Sequence, residues 1–342
     1  VVLAGGIGSR FWPVSTPTRP KQLLALASDE PLVSDTVRRI EPIVPLARVR
    51  VLTGEHLVGP IRGAVPGLSD ASFLVEPRAR GTAPVLLWAA HALHAEDPDA
   101  VMVSLHADHV IEPADAFRGL IADMARLARR EDRLFTIGVR PDRPETGYGY
   151  IRVGDVLDPA LDARVVDAFV EKPDRDTAQR YLDDGGYLWN SGIFLWRAGF
   201  FIEQVRRHTP ELAPLIELLD RGAVDRFFEE APSLSVDEGV LERSDAVAVV
   251  PANFSWDDVG AWDAVARTLP QDDAGNVTQG DAHLVDSRGC VAWSDDGSVV
   301  LFGVQDLVVV RTGDLTLVTP RERAADLKKL LERLPPGLTR EG

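Results

Sequence analysis

Along the first two-thirds of the chain, short β-branched runs alternate with stretches whose apolar positions recur every three or four residues. Val1–Ala4, Val49–Leu52, Ser72–Val75, Val101–Leu105 and Leu134–Val139 read as buried strands. Helical patterns fall between them, at about 32–41, 82–95 and 114–129. In the second, Thr82 is placed to cap the helix, with Pro84 in its first turn. In the third, Phe117, Leu120, Ile121, Met124 and Leu127 share one face. Strand–helix–strand alternation predicts an α/β fold with a mainly parallel sheet covered by helices on both faces. Ligands in such sheets sit beyond the carboxyl ends of the strands, so the loops after Ala4, Val75 and Leu105 should share one rim.

Residues 148–260 are mixed, with strands near 148–153, 164–170, 190–196 and 246–250. After Gly275 the pattern changes. Apolar runs begin near His283, Val291, Val299, Leu307 and Leu315, a step of about eight residues, mostly separated by glycine or aspartate. That spacing predicts a small all-β element, either a β-helix fragment or a sandwich. A last helix, about 321–334, precedes Pro335–Pro336. A length of 342 residues fits two units, divided here at 1–270 and 271–342.

Composition narrows the function. No apolar run approaches the roughly 18 residues of a membrane span. Acids outnumber bases 53 to 37, for a net charge of −16, which argues against a nucleic-acid binder. The single cysteine, Cys290, excludes an intrachain disulfide framework and points to the cytoplasm. Against this acidic background, residues 1–28 carry Arg10, Arg19 and Lys21 and no acid, which points to a local anion site. There are only four lysines, Lys21, Lys172, Lys328 and Lys329. A lysine in an arginine-rich chain marks a place for a compact point charge, although Lys328 and Lys329 read as a solvated helix face.

The opening strand runs into Gly5, Gly6 and Gly8, where backbone N–H groups can approach a phosphate closely. No Gly-Lys-Ser/Thr follows, so this is not a Walker loop. Phe11 stands where a dinucleotide fingerprint needs its third glycine. The glycines together with Arg10 and Lys21 predict a polyphosphate site. Asp108 follows the strand Val101–Leu105 on the same rim and reads as a ligand for Mg²⁺, which favours one or two carboxylates plus substrate phosphates. His91/His94 and His106/His109 are i, i+3 pairs, but zinc needs three or four converging ligands and the cysteine is remote in sequence. His109 reads either as a group orienting Asp108 or as a packed loop histidine. Trp189, Trp196, Trp256 and Trp262 read as core.

The run Leu3-Ala-Gly-Gly-Ile-Gly-Ser-Arg10 with Pro20-Lys21 resembles the signature of the sugar-nucleotide pyrophosphorylases. Trp12-Pro13-Val14-Ser15 and Pro20-Lys21-Gln22 make it similar to the bacterial mannose-1-phosphate guanylyltransferases, or GDP-mannose pyrophosphorylases. Further blocks follow in that family's order. They are Gly81-Thr-Ala-Pro84, Ala107-Asp-His-Val-Ile111, Arg143-Pro-Glu-Thr-Gly-Tyr-Gly-Tyr-Ile151, Val170-Glu-Lys-Pro173, Leu188-Trp-Asn-Ser-Gly192, Ser235-Val-Asp and Trp256-Asp-Asp-Val-Gly-Ala-Trp262. Ser9, Gly81, His106 and Glu238 depart from the family's usual Thr, Asn, Pro and Tyr. No cupin-like isomerase domain is read in these residues, so the resemblance does not imply isomerase activity.

The resemblance implies a Rossmann-like, GT-A-like nucleotidyltransferase fold. It implies transfer of GMP from GTP to α-D-mannose 1-phosphate, giving GDP-mannose and pyrophosphate, with Mg²⁺ as cofactor and a homodimer as the assembly. Leu3, Ala4, Gly5, Gly6, Gly8, Ser9, Arg10, Lys21, Gly81, Thr82, Ala83 and Asp108 would bind the nucleotide. Gly147, Tyr148, Gly149, Glu171, Lys172 and Asn190 would bind the sugar phosphate, with Asn190 offering it a donor and an acceptor. Asp258 would join Asp108 on the metal, with Asp257 as runner-up, although Asp258 equally suits a helix N-cap. Arg10, Lys21, Asp108, Lys172 and Asp258 would carry the catalysis. The rivals are a pyrophosphorylase for glucose 1-phosphate and a non-catalytic sugar-nucleotide sensor. A metal-dependent glycosyltransferase would want D-x-D where Ala107-Asp108-His109 stands.

Overall fold

The computed structural model describes residues 1–6 and 8–339. The chain begins with β1 (Val2–Leu3), α1 (Leu32–Ile40), β2 (Val51–Thr53), α2 (Glu55–Ala64), β3 (Phe73–Val75) and α3 (Thr82–Glu96). Then come β4 (Val101–His106), β5 (Val110–Glu112), α4 (Ala114–Ala128) and β6 (Leu134–Val139). The middle region holds β7 (Tyr150–Asp158), β8 (Ala163–Val170), α5 (Arg175–Asp184), β9 (Tyr187–Arg197) and α6 (Ala198–His208). It continues through α7 (Ile216–Asp220), α8 (Val224–Glu230), β10 (Val247–Pro251), β11 (Ser255–Asp257) and α9 (Trp262–Thr268).

The central sheet has nine strands in the order β3-β2-β1-β4-β9-β6-β10-β8-β7. β1 to β4 pair in parallel, as do β6 and β10. β8 and β9 run against the other seven. The sheet is therefore mainly parallel in direction, with antiparallel pairings where the chain returns through β9. Its β1–β4 half reads as short apolar runs because both faces are covered. The nine-residue β7 and eight-residue β8 include exposed positions, as a partly solvated antiparallel ribbon should.

Some local expectations are corrected. Thr82 is not the cap of α3: Gly81 is, and Thr82 Oγ1 instead accepts the Val236 amide at 2.8 Å. Asp258 caps no helix, because α9 starts four residues later, at Trp262. The hydrophobic pattern carried no sign of α2, which contains Pro60, nor of the short antiparallel pair β5–β11.

The C-terminal strands are β12 (Val277–Gln279), β13 (Ala282–Val285), β14 (Val291–Ser294), β15 (Val299–Phe302), β16 (Leu307–Thr312) and β17 (Leu315–Pro320). β12, β14 and β16 stack in parallel, as do β13 and β15. Val291 faces Val308 and Ala282 faces Val299, so one coil takes seventeen residues and the eight-residue step is half a coil. Parallel coils make this a β-helix fragment, not a sandwich. Asp286, Asp306 and Gly280 stand at positive φ between strands, which accounts for the aspartates and glycines that separate the runs. The closing helix is split, with a 3₁₀ stretch at Arg321–Asp326 and then α10 (Leu327–Leu331).

This β-helix packs on α9 and on the loop that follows β1. Val291, Trp293 and Val308 share one core with Phe11, Trp12, Leu24 and Trp262, and the Trp262 indole donates to the Trp12 carbonyl at 3.1 Å. The loop that follows β1 is thus fastened from behind by the C-terminal element. Among the described residues no helix is long and apolar enough to cross a membrane.

Candidate functional site

The site grows from the end of β1. The Ala4 carbonyl accepts from Gln22 Nε2 at 2.7 Å and from Thr53 Oγ1 at 3.1 Å, so the strand stops there and the chain turns. Gly8 has φ 70° and its carbonyl accepts the Ser15 hydroxyl at 2.6 Å. A Cβ on Gly8 would fall 2.3 Å from Lys21 Cβ. Glycine there lets the Lys21 side chain pass under the turn. A Cβ on Gly6 would meet nothing within 4 Å, so that stretch of backbone is open to a ligand. Arg10 sits exposed in the short 3₁₀ turn Ser9–Phe11, anchored by buried Phe11.

Lys21 is buried, and its ammonium ties the two aspartates together. It donates to Asp108 Oδ2 at 2.8 Å and to the Asp258 carbonyl. Burial alone would raise the Asp108 carboxyl. The Lys21 ammonium outweighs it, with help from the two histidines, and holds Asp108 well below the usual carboxylate range. Asp258 is pushed up by burial, against the pull of Lys21, and its Oδ1 accepts the Tyr148 hydroxyl at 2.6 Å. Asp257 is committed elsewhere: its carboxylate accepts the Val259 amide at 2.7 Å and pairs with Arg267 at 2.8 Å.

His106 and His109 stack at 4.7 Å, and their ligand atoms lie within 4.8 Å of one another and of the Asp108 carboxylate. This trio does not form a zinc cage. The Trp256 indole, a donor only, points at His109 Nδ1 at 3.1 Å. His109 Nδ1 must accept, which puts the ring proton on Nε2 and leaves no lone pair free for a metal. Burial keeps both imidazoles neutral. The neutral His106 keeps one lone pair, so the donors that remain are one ring nitrogen and the carboxylate oxygens, too few for zinc's usual cage, while oxygen is what a hard divalent cation prefers.

A cavity of about 300 Å³ opens beside the glycine turn, lined by Leu3, Ala4, Gly5, Gly6, Glu76, Gly81, Thr82 and Asp108 among others. Glu76 had no signal in the sequence. It follows β3, burial raises its carboxyl, and a Cβ on Gly5 would sit 2.7 Å from its Oε1. Gly81 has φ 79°, and a Cβ there would lie 2.5 Å from the Leu234 carbonyl oxygen. The glycine in this chain is therefore a matter of backbone fit. Ala83 was expected at the nucleotide but is fully buried, with its amide bonded to Leu234 at 3.0 Å, and it has nothing to offer a base.

The expected sugar residues cluster on the other side. Lys172 has φ 47° and pairs with Glu171. A Cβ on Gly149 would lie 2.6 Å from Glu171 Oε2, so the glycine makes room for that carboxylate. The Tyr148 hydroxyl is committed to Asp258, and its ring packs edge-on to Trp189 and Trp256. Arg143 lies over Trp189 at 4.8 Å. Trp189, Trp196 and Trp262 are core, but Trp256 is half-buried and borders the site. Asn190 does not offer a donor and an acceptor. Its Oδ1 accepts from Thr136 Oγ1 at 2.9 Å and from the Gly192 amide at 3.3 Å, and its Nδ2 donates to Asp237 at 2.8 Å. Asp237 is a second residue the sequence reading did not assign, although it lay within a matching block.

A glycine turn at the end of β1, beside a buried lysine that joins two aspartates, makes this an α/β enzyme. The chain belongs to the nucleotidyl transferase family, whose model matches residues 1–274, and a mannose-phosphate isomerase/GMP-like β-helix domain matches residues 280–334. It is 38% identical to the mannose-1-phosphate guanylyltransferase of Escherichia coli K12, over 98% of this chain and 73% of that protein. It is 36% identical to the alginate biosynthesis protein AlgA of Pseudomonas aeruginosa, over 98% and 71%. Among solved structures, a Thermus thermophilus protein described as a mannose-1-phosphate geranyltransferase superposes with a TM-score of 0.89 at 35% identity, covering 97% of each chain.

Proposed function

We propose that this chain transfers GMP from GTP to α-D-mannose 1-phosphate, releasing pyrophosphate and forming GDP-mannose. The observation that carries the reading is the single Lys21 ammonium bonded both to Asp108 and to the Asp258 backbone, directly beneath an open glycine turn. The similarity to guanylyltransferases over nearly the whole chain supports the choice of substrates.

The sugar phosphate oxygen attacks the α-phosphorus in line, and the bond to the pyrophosphate oxygen breaks. The nucleophile is already an anion, so no general base is required. The obstacles are repulsion between anions and misalignment. Holding two reactants in register contributes up to about 7–11 kcal/mol in favourable systems. Arg10 and Lys21 hold the leaving pyrophosphate, and Gly5 and Gly6 give it backbone contacts. Lys172 fixes the attacking phosphate and Glu171 accepts from sugar hydroxyls. Glu76, with a half-buried carboxylate in the cavity, faces the base. Asp108 and Asp258 would hold a divalent cation, Mg²⁺ by their oxygen donors. When bound, such an ion supplies neutralising charge at the phosphoryl oxygens.

The test is pyrophosphate release with each of the four nucleoside triphosphates, with mannose and glucose 1-phosphates, with and without Mg²⁺. Release that depends on GTP, mannose 1-phosphate and Mg²⁺ is expected. A preference for glucose 1-phosphate with another triphosphate would transfer the assignment to a sister pyrophosphorylase. Binding without any release would make the protein a sensor.

A further inference from the structure

The Ser235-Val-Asp237 block has no part in the mechanism above, yet it ends in a carboxylate at the sugar side. Asp237 begins a π-helical turn, Asp237–Leu241, a rare geometry that is frequent at functional sites. Among the described residues its side-chain partner is Asn190, at 2.8 Å. An amide oxygen has two lone pairs and an amide nitrogen two hydrogens. Thr136 and Gly192 fill both acceptor positions of Asn190, and Asp237 takes one of the hydrogens. A single N–H remains.

Asp237 at 2.8 Å and the Gly192 N–H at 3.3 Å together set the direction of this amide. Once ionised, the Asp237 carboxylate only accepts, so the nitrogen must face it. A flipped amide would set two oxygens against each other at Asp237 and set an NH₂ against the Gly192 N–H. Asp237 has no salt bridge of its own among the described residues, and Glu171 lies close enough to repel it. An acid kept only for stability would not be placed there. Resting on the sugar-subsite reading above, we propose that Asp237 is a positioning residue that locks Asn190 as a one-hydrogen donor. At that point the subsite reads a hexose hydroxyl through its oxygen, whereas Glu171 reads a hydroxyl through its hydrogen.

The experiment measures steady-state rates for the wild type and for Asp237→Asn, with mannose 1-phosphate and its singly deoxygenated and singly fluorinated analogues, together with melting temperatures. Fluorine keeps a weak acceptor and loses the donor. In the wild type, one ring position should tolerate fluorine several-fold better than hydrogen. In Asp237→Asn that preference should vanish, and the KM for mannose 1-phosphate should rise about tenfold, equivalent to one hydrogen bond of about 1.4 kcal/mol. The KM for GTP should stay unchanged and the melting temperature should not fall. An unchanged sugar KM, or a fall in melting temperature with both KM values rising together, overturns the proposal. If the wild type releases no pyrophosphate with any sugar phosphate, the functional reading itself has failed and this proposal goes with it.

Discussion

At the nucleotide end of the cleft a buried ammonium meets a carboxylate; at the sugar end two carboxylates, Glu171 and Asp237, share one exposed lysine. The Lys21–Asp108 pair is matched in charge, and Asp108 stays ionised far into acid. Glu171, Lys172 and Asp237 are one charge too negative, and burial together with Glu171 pushes Asp237 up to about 7. On the proposed function, the first arrangement would receive a triphosphate and its cation without rearranging its charges. The second holds an electrostatic strain that hydroxyl hydrogens, each a donor to a carboxylate, would relieve. The proposed function thus assigns the two ends different chemistry: charge neutralisation at one, hydroxyl recognition at the other.

If that contrast is right, losing charge at the nucleotide end should be the more damaging change. Asp108→Asn keeps an acceptor for Lys21 but removes the negative charge that balances it and would hold the cation. Pyrophosphate release should drop by about a thousandfold, the scale of losing a well-placed electrostatic group. The circular-dichroism spectrum should remain that of a folded protein. Near-normal turnover in saturating Mg²⁺ would take Asp108 out of the metal site.

Lys172→Ala tests the opposite end and should be milder. The ammonium is exposed, so solvent already screens part of its charge. A loss of about 10- to 100-fold in kcat/KM is expected, carried by mannose 1-phosphate and not by GTP. Should the GTP dependence suffer equally, the two ends are not the separate devices described above.

Much of this was readable from residue order, for definite reasons. The strands β1 to β4 and β6 are largely buried, so each shows as a short, mostly apolar run. Lys21 stood out as one of four lysines, in a segment without acids, and Asp108 as a charge just after an apolar strand. The β-helix showed its half-coil step, but a step does not tell parallel stacking from antiparallel. What stayed hidden depends on partners distant in sequence. Glu76 is an ordinary acid until the fold sets it beside Gly5. The polarity of Asn190 depends on Asp237, 47 residues away. Thr82 looks like a cap by composition, but its hydroxyl is claimed by Val236 across the molecule. The family's blocks located the sugar side; they did not say which atoms of it were free.

The smallest expected effect is thermodynamic, and it sharpens the view of the sugar end as strained. The folded Asp237 carboxyl titrates at about 7, above its ordinary value of 3.8. Between those values the folded chain holds a proton that the unfolded chain has released. Folding stability from this group is therefore full below about pH 4 and declines as pH rises toward 7. A shift of that size sets a ceiling of about 4 kcal/mol. Asp237→Asn cannot lose a proton, so its stability relative to the wild type should climb across the same range and then level off. The bond to Asn190 already tempers that shift, so the gain at pH 8 should fall short of the ceiling. Urea melts of both proteins at pH 5, 6, 7 and 8 measure it. A difference that stays flat with pH would mean that Asp237 is ionised throughout, and that the sugar end is as well balanced as the nucleotide end.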